Sequence, residues 1–177
     1  MKVKHRAKII VGDYPFSESL NKEVLEKLKF SKSIEKKFTN VKAFHTEWDW
    51  EPENQKFKNF KSFMLNEIKK KFDLNLKANC EQLNGSITNF WCNVYAKGDH
   101  ANIHNHQPFD CSFAYFVKSK WYDSPLVFSD GNEKIRPKEG RYVIFPAYLN
   151  HHVPKHRYNH ERITLSGNYE VNISNIV

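Results

Sequence analysis

From residue 84 onward the chain breaks into short strand-like runs at 86–96, 101–106, 111–118, 125–129, 141–146, 150–154 and 162–171. Turn signals separate them at Lys97-Gly98-Asp99, Gln107-Pro108, Ser129-Asp130-Gly131-Asn132 and Lys138-Glu139-Gly140. Many short strands with regular breaks fold as a sandwich or a barrel, and their number fits a jelly roll. The first half reads differently. Residues 6–12 form a strand candidate, and Ser17 is placed as the N-cap of a helix with Leu20, Val24 and Leu28 on one face. Phe57, Phe60, Met64, Ile68 and Phe72 stripe a second amphipathic helix over about 55–73, a pattern that belongs to a core face. The expected fold is therefore α+β, with N-terminal helices packed on a double-stranded β-helix (a cupin-like jelly roll). A single domain over 1–177 is expected, with 1–84 mainly helical support and 85–177 the jelly-roll core that carries the site.

Composition narrows the function classes. The chain has 28 Lys and Arg against 20 Asp and Glu, but basic runs such as Lys69-Lys70-Lys71 sit in helical stretches, where a solvated face explains them. No zinc finger, helix-turn-helix or ribonucleoprotein-type motif accompanies the charge, so nucleic acid is not the expected partner. Three widely spaced cysteines (Cys80, Cys92 and Cys111) without a Cys-x-x-Cys pair fit reduced, buried thiols better than a disulfide framework. The basic N-terminus has no apolar signal-peptide segment, and no apolar run is long enough to span a membrane. A cytoplasmic protein is expected, and its oligomeric state is left open.

The chemistry concentrates in the histidines. His104 and His106 share a face of an extended segment, because side chains alternate along a strand. After Tyr142-Val143-Ile144-Phe145-Pro146 comes His151-His152-Val153, and the apolar Val153 selects His151 as the inward-facing residue of that pair. Three imidazoles suit iron, zinc, copper or nickel and leave coordination positions open, as in a non-heme iron oxygenase. Arg162, with Thr164 two residues on, forms a carboxylate clamp on a strand whose alternate residues continue to Ser166 and Asn168. Beside a metal, such a clamp implies a dicarboxylate with one end on the ion. The other histidines read as bland: His5 in a basic arm, His100 at a rim, and His156 and His160 in a solvated polar loop with Lys155 and Arg157. The segment Phe44-His45-Thr46-Glu47-Trp48-Asp49-Trp50 reads as a cover over the core and not as a second ligand set.

The stretch Phe90–Tyr169 resembles the 2-oxoglutarate and Fe(II)-dependent oxygenases, and within them the small prolyl-4-hydroxylase-like proteins common in phages and marine bacteria. The residues that carry the likeness are Trp91-Cys92-Asn93-Val94-Tyr95, His104-Asn105-His106, Ser112-Phe113-Ala114-Tyr115-Phe116 and Leu126-Val127-Phe128-Ser129-Asp130. They continue with Gly140-Arg141-Tyr142-Val143-Ile144-Phe145-Pro146, Leu149-Asn150-His151-His152-Val153 and Arg162-Ile163-Thr164. The resemblance implies a hydroxylase that uses Fe(II), 2-oxoglutarate and O2, decarboxylates 2-oxoglutarate to succinate, and hydroxylates a C–H bond of a peptidyl prolyl residue or a small metabolite. It implies His104 and His151 as iron ligands, Arg162 and Thr164 on the far carboxylate of 2-oxoglutarate, and Tyr95 and Asn93 as further cosubstrate contacts.

One position departs from the family pattern. Two residues after the first histidine a carboxylate is usual, and here His106 stands. The alternatives are, in order, His106 as a third imidazole ligand, an open position, and Asp110 reaching back across the Gln107-Pro108 turn. A three-histidine set also fits cupin-type dioxygenases that use no 2-oxoglutarate, and a jelly roll can be a non-catalytic binding module.

Overall fold

The computed structural model describes residues 8–30, 40–72, 84–129 and 131–172, so His5, Cys80 and Asp130 lie outside the described residues. The order is β1 (Ile10–Asp13), α1 (Ser17–Phe30), β2 (Val41–Lys42), β3 (Phe44–His45), α2 (Gln55–Phe72), β4 (Asn84–Tyr95) and β5 (His100–His104). It continues with β6 (Cys111–Lys118), β7 (Leu126–Phe128), β8 (Glu133–Ile135), β9 (Arg141–Pro146), β10 (His151–Val153) and β11 (Arg162–Asn172). The strands form a six-stranded sheet, β1-β9-β6-β11-β4-β3, and a five-stranded sheet, β2-β5-β10-β7-β8, with every pairing between strands antiparallel. The first half thus supplies three short strands as well as two helices. The two-residue strands β2 and β3 and the three-residue β8 are too short to show periodicity in sequence.

Alternation sorts the residues of the larger sheet into two cores. Phe90 and Cys92 of β4, Tyr142 and Ile144 of β9, and Ile163 and Leu165 of β11 face the helices. There they meet Phe57, Phe60, Met64 and Ile68 of α2 and Leu20, Val24 and Leu28 of α1. Edge-on aromatic contacts fix this layer, with Phe57 against Phe90 at 5.0 Å. Phe60 lies 4.8 Å from Tyr115 in the same layer. Intervening residues (Tyr95, Phe116, Val143 and Phe145) face the five-stranded sheet and pack with Ala101, Phe128 and Val153. β6 and β9 are apolar on successive residues because both faces of the sheet are covered.

Local chemistry sets the ends of the elements. Asn54 caps α2 through its Oδ1, which accepts the Phe57 N–H at 2.9 Å, and Lys69, Lys70 and Lys71 fill the last turn, where the helix dipole favours cations. Gly167 lies where β11 passes under an aromatic ring: a Cβ there would sit 2.6 Å from both the Asn89 carbonyl oxygen and the Phe113 ring. No helix among the described residues is long and apolar enough to cross a membrane.

Candidate metal and cosubstrate site

The two sheets enclose a cavity of about 160 Å³. His104 and His151 stand directly opposite each other on β5 and β10 of the smaller sheet. From the larger sheet, β11 and β4 present Arg162 opposite Tyr95, Thr164 opposite Asn93 and Ser166 opposite Trp91. All eight of these residues line the cavity, together with His106.

His106 arrives by a different route from the one expected. β5 ends at His104, so the two histidines do not share a strand face. The His106 N–H donates to the Ala147 carbonyl at 2.8 Å, which carries the chain out of the ladder and turns the ring back toward the others. Candidate ligand atoms of His104, His106 and His151 all lie within 4.8 Å of one another. Asp110 is committed elsewhere: its Oδ2 accepts the Val171 N–H at 2.7 Å. Its backbone N–H donates to the Tyr169 carbonyl.

The hydrogen bonds fix the tautomers that a metal needs. Nδ1 of His104 donates to the Asn102 carbonyl at 2.7 Å, and Nδ1 of His151 donates to the Leu149 carbonyl at 2.9 Å. Each neutral ring therefore keeps a bare Nε2. Nε2 of His106 lies 3.2 Å from Nε2 of His151. Metal–nitrogen bonds of about 2.0–2.1 Å place neighbouring donors about 3.0–3.4 Å apart, so this separation fits one shared ion. Burial and then the neighbouring imidazoles push His106 down to about 3, and burial followed by His104 does the same for His151, also to about 3. Burial lowers His104 as well. All three are neutral at physiological pH, the form in which imidazole binds metal.

Arg162 closes the opposite end. It is 1 % exposed, its guanidinium lies 4.9 Å from the Tyr95 ring centroid and 5.2 Å from that of Phe116, and its Nε and Nη1 have no hydrogen-bond partner. Burial lowers its pKa, and Tyr95 and Asp123 oppose that shift. Among the residues lining the cavity Arg162 is the one permanent charge, and no carboxylate joins it. Buried donors without acceptors, beside three histidines that could share a metal ion, have the chemistry that suits an anion.

Trp48 also lines the cavity and was less visible in sequence. Thr46 Oγ1 accepts the Cys92 N–H at 3.0 Å, and Trp48 and Trp50 exchange backbone bonds with Phe90. This lays the 46–50 segment along β4 and sets Trp48 at the cavity mouth, 4.7 Å from Trp91. Ser166, which also lines the cavity, was readable from its alternation with Arg162 and Thr164. His45 is buried, with Nδ1 against the Thr46 carbonyl at 2.7 Å, and neither it, Glu47 nor Asp49 joins a metal-type cluster among the described residues. His152 is half-buried and does not line the cavity.

The reading of His156 and His160 as solvated loop residues is corrected. His156 is 1 % exposed, and His160 Nε2 lies 2.7 Å from Oδ1 of the buried Asp123. Tertiary contacts between two loops bury side chains whose local sequence is wholly polar.

Comparison with known proteins agrees with this geometry. Residues 132–168 match the family model described as "Putative 2OG-Fe(II) oxygenase". A viral collagen prolyl hydroxylase of Paramecium bursaria Chlorella virus-1, solved as its 2OG complex, superimposes with a TM-score of 0.64 at 16% identity, over 91% of this chain and 94% of that one. A Pseudomonas putida prolyl-4-hydroxylase gives 0.68 at 14% identity over 94% of each chain. A Trichoplax adhaerens prolyl hydroxylase, solved with a hypoxia inducible factor peptide, gives 0.60 at 16% identity over 92% of this chain and 83% of that one. Among curated proteins none matches. The chain is thus similar to the 2-oxoglutarate and Fe(II)-dependent oxygenases by sequence over residues 132–168, and over more than nine-tenths of its length it has the fold of these prolyl hydroxylases.

Proposed function

We propose that this protein is a 2-oxoglutarate- and Fe(II)-dependent dioxygenase that hydroxylates a C–H bond of a peptidyl prolyl residue or a small metabolite. The observation that carries the reading is Arg162: a buried guanidinium with unpartnered Nε and Nη1, in the same cavity as three convergent neutral imidazoles. His104, His106 and His151 would hold the iron, and the bare Nε2 atoms of His104 and His151 fit that task. Arg162 would hold the far carboxylate of 2-oxoglutarate, with the Thr164 hydroxyl on the same strand face and Tyr95 and Asn93 facing it from β4. With both bound, such a centre couples decarboxylation of 2-oxoglutarate by O2 to hydroxylation of the substrate. The chain itself orients the cosubstrate between Arg162 and the histidines, shields it between two sheets, and narrows the mouth with Trp48 and Trp91. The 2OG-bound neighbour supports the cosubstrate, and the peptide-bound one supports a peptide as one substrate class.

Anaerobic addition of Fe(II) and 2-oxoglutarate to the purified chain tests the assignment. A weak visible charge-transfer band is expected, lost in Arg162→Ala while iron stays bound. His106 in the place of a carboxylate favours one other reading, a three-histidine dioxygenase without 2-oxoglutarate. Iron binding with no band in the unsubstituted protein would select it. Binding of neither would leave a non-catalytic module.

A further inference from the structure

A second cluster stands apart from this cavity, where the loop of residues 119–125 meets the loop of residues 154–161. Asp123, His156 and His160 each bring a candidate ligand atom within 4.8 Å of the other two. Asp123 is 3 % exposed and His156 1 % exposed, so two of the three are closed to solvent. Backbone bonds hold them in place: the His156 N–H donates to the Asp99 carbonyl at 2.8 Å, and the Gly98 N–H donates to the His156 carbonyl at 2.7 Å. Asp123 Oδ2 accepts the Lys120 N–H at 2.8 Å, which leaves Oδ1 facing His160.

The proton inventory of His156 points to a ligand. Its Nε2 lies 2.7 Å from the His160 carbonyl, which can only accept, so Nε2 carries the hydrogen. Nδ1 of the neutral ring is then a bare lone pair, and it is buried with no hydrogen-bond partner. An orphaned buried acceptor of this kind is destabilising when nothing meets it. Tyr158 stacks on His160 at 5.6 Å and Tyr122 packs against Tyr158 at 4.7 Å, which places two aromatic rings beside the cluster.

We propose that Asp123, His156 and His160 form a second metal site, for a borderline divalent ion such as zinc, cobalt, nickel or iron. Two imidazoles and one carboxylate are the donors such ions select, whereas calcium and magnesium require mostly oxygen ligands. On loading, the ion replaces the proton between His160 Nε2 and Asp123 Oδ1, and that proton moves to His160 Nδ1, so both rings stay neutral. The site fastens the 154–161 loop, which leads into Arg162, to the loop before β7. Its role is to brace the wall that holds Arg162.

Equilibrium dialysis of the chelator-stripped chain against cobalt(II) alone, with metal per chain and the visible d–d bands recorded, tests the site. Two cobalt ions per chain are expected, one in His151→Ala, one in His160→Asn, and none in the double variant. His160 is part-exposed, so His160→Asn is the substitution least disruptive to folding; Asp123→Asn repeats the measurement, and circular dichroism confirms each fold. One ion in the unsubstituted chain, lost in His151→Ala and unchanged in both His160→Asn and Asp123→Asn, would overturn the second site and leave the first. One ion lost in His160→Asn but retained in His151→Ala would overturn the first and leave the second.

Discussion

Arg162→Met should make this protein more stable and at the same time unable to hold its cosubstrate. The guanidinium is closed off from water, and two of its donors, Nε and Nη1, have no acceptor. Each unmet donor costs roughly 1–3 kcal/mol, and the buried charge adds its own desolvation. The rings of Tyr95 and Phe116 return about 0.5–2 kcal/mol each through cation–π contact, which does not cover the loss. Methionine fills much of the same volume without the charge, and replacing buried ionic groups by apolar ones is commonly neutral or stabilising by about 1–4 kcal/mol. A gain of about 2 kcal/mol raises Tm by about 4–8 °C in a chain of this size. Binding should move the other way. Truncating one partner of a buried charge pair costs about 3–5 kcal/mol, a loss of roughly a few hundred- to a few thousand-fold in 2-oxoglutarate affinity. The assay is thermal unfolding in anaerobic Fe(II), with and without 2-oxoglutarate. The unsubstituted chain should gain about 2.7 kcal/mol at a ligand concentration of a hundred times Kd, and Arg162→Met should start higher and gain nothing. A variant that melts lower and still responds to 2-oxoglutarate would refute the argument that Arg162 is held ready for an anion.

His104→Ala and His151→Ala should each weaken Fe(II) binding by more than the roughly 10–100-fold typical of losing a supporting hydrogen bond, measured by competition with a chelator. Glu67→Gln tests the brace between α2 and β9. Lys71 and the Tyr142 hydroxyl, both bonded to the Glu67 carboxylate, hold it below the usual glutamate range. Because the folded pKa is depressed, its contribution is full above the unfolded value near 4.5 and disappears as pH falls through the folded value. Urea unfolding should show the variant weaker by roughly 1 kcal/mol at pH 7, with the two curves converging in acid; a gap that persists at low pH contradicts this. Gly167→Ala should destabilise by about 1–3 kcal/mol, because the new methyl meets the Asn89 carbonyl and the Phe113 ring. Phe60→Ala should cost about 3–5 kcal/mol and loosen both helices from the sheet, read as loss of near-ultraviolet dichroism.

Most of the framework was legible because its periodicities are long. α2 spans 18 residues with Phe57, Phe60, Met64 and Ile68 at helical spacing, and β6 and β9 have the bounds expected from their apolar runs. Arg162 and Thr164 stood out because polar residues alternate with Ile163 and Leu165 on a strand that is otherwise core. What local sequence could not carry was set by distant partners. The end of β5 at His104 depends on a carbonyl at Ala147, and the burial of His156 and His160 depends on a loop more than thirty residues earlier in the chain. Trp48 looked like part of a covering loop, and only its backbone exchange with Phe90 makes it the rim of the cavity.

The two-sided character of β11 separates two kinds of variation. Ile163, Leu165 and Gly167 determine how firmly the helices sit, while Arg162, Thr164 and Ser166 determine what the cavity meets. A library that varies Thr164 and Ser166 with their odd-numbered neighbours held constant therefore samples chemistry at nearly constant foldability. Substitution at 163, 165 or 167 spends stability without reaching the ligand. Selection for a new substrate and selection for heat resistance would consequently leave their marks on alternate residues of one strand.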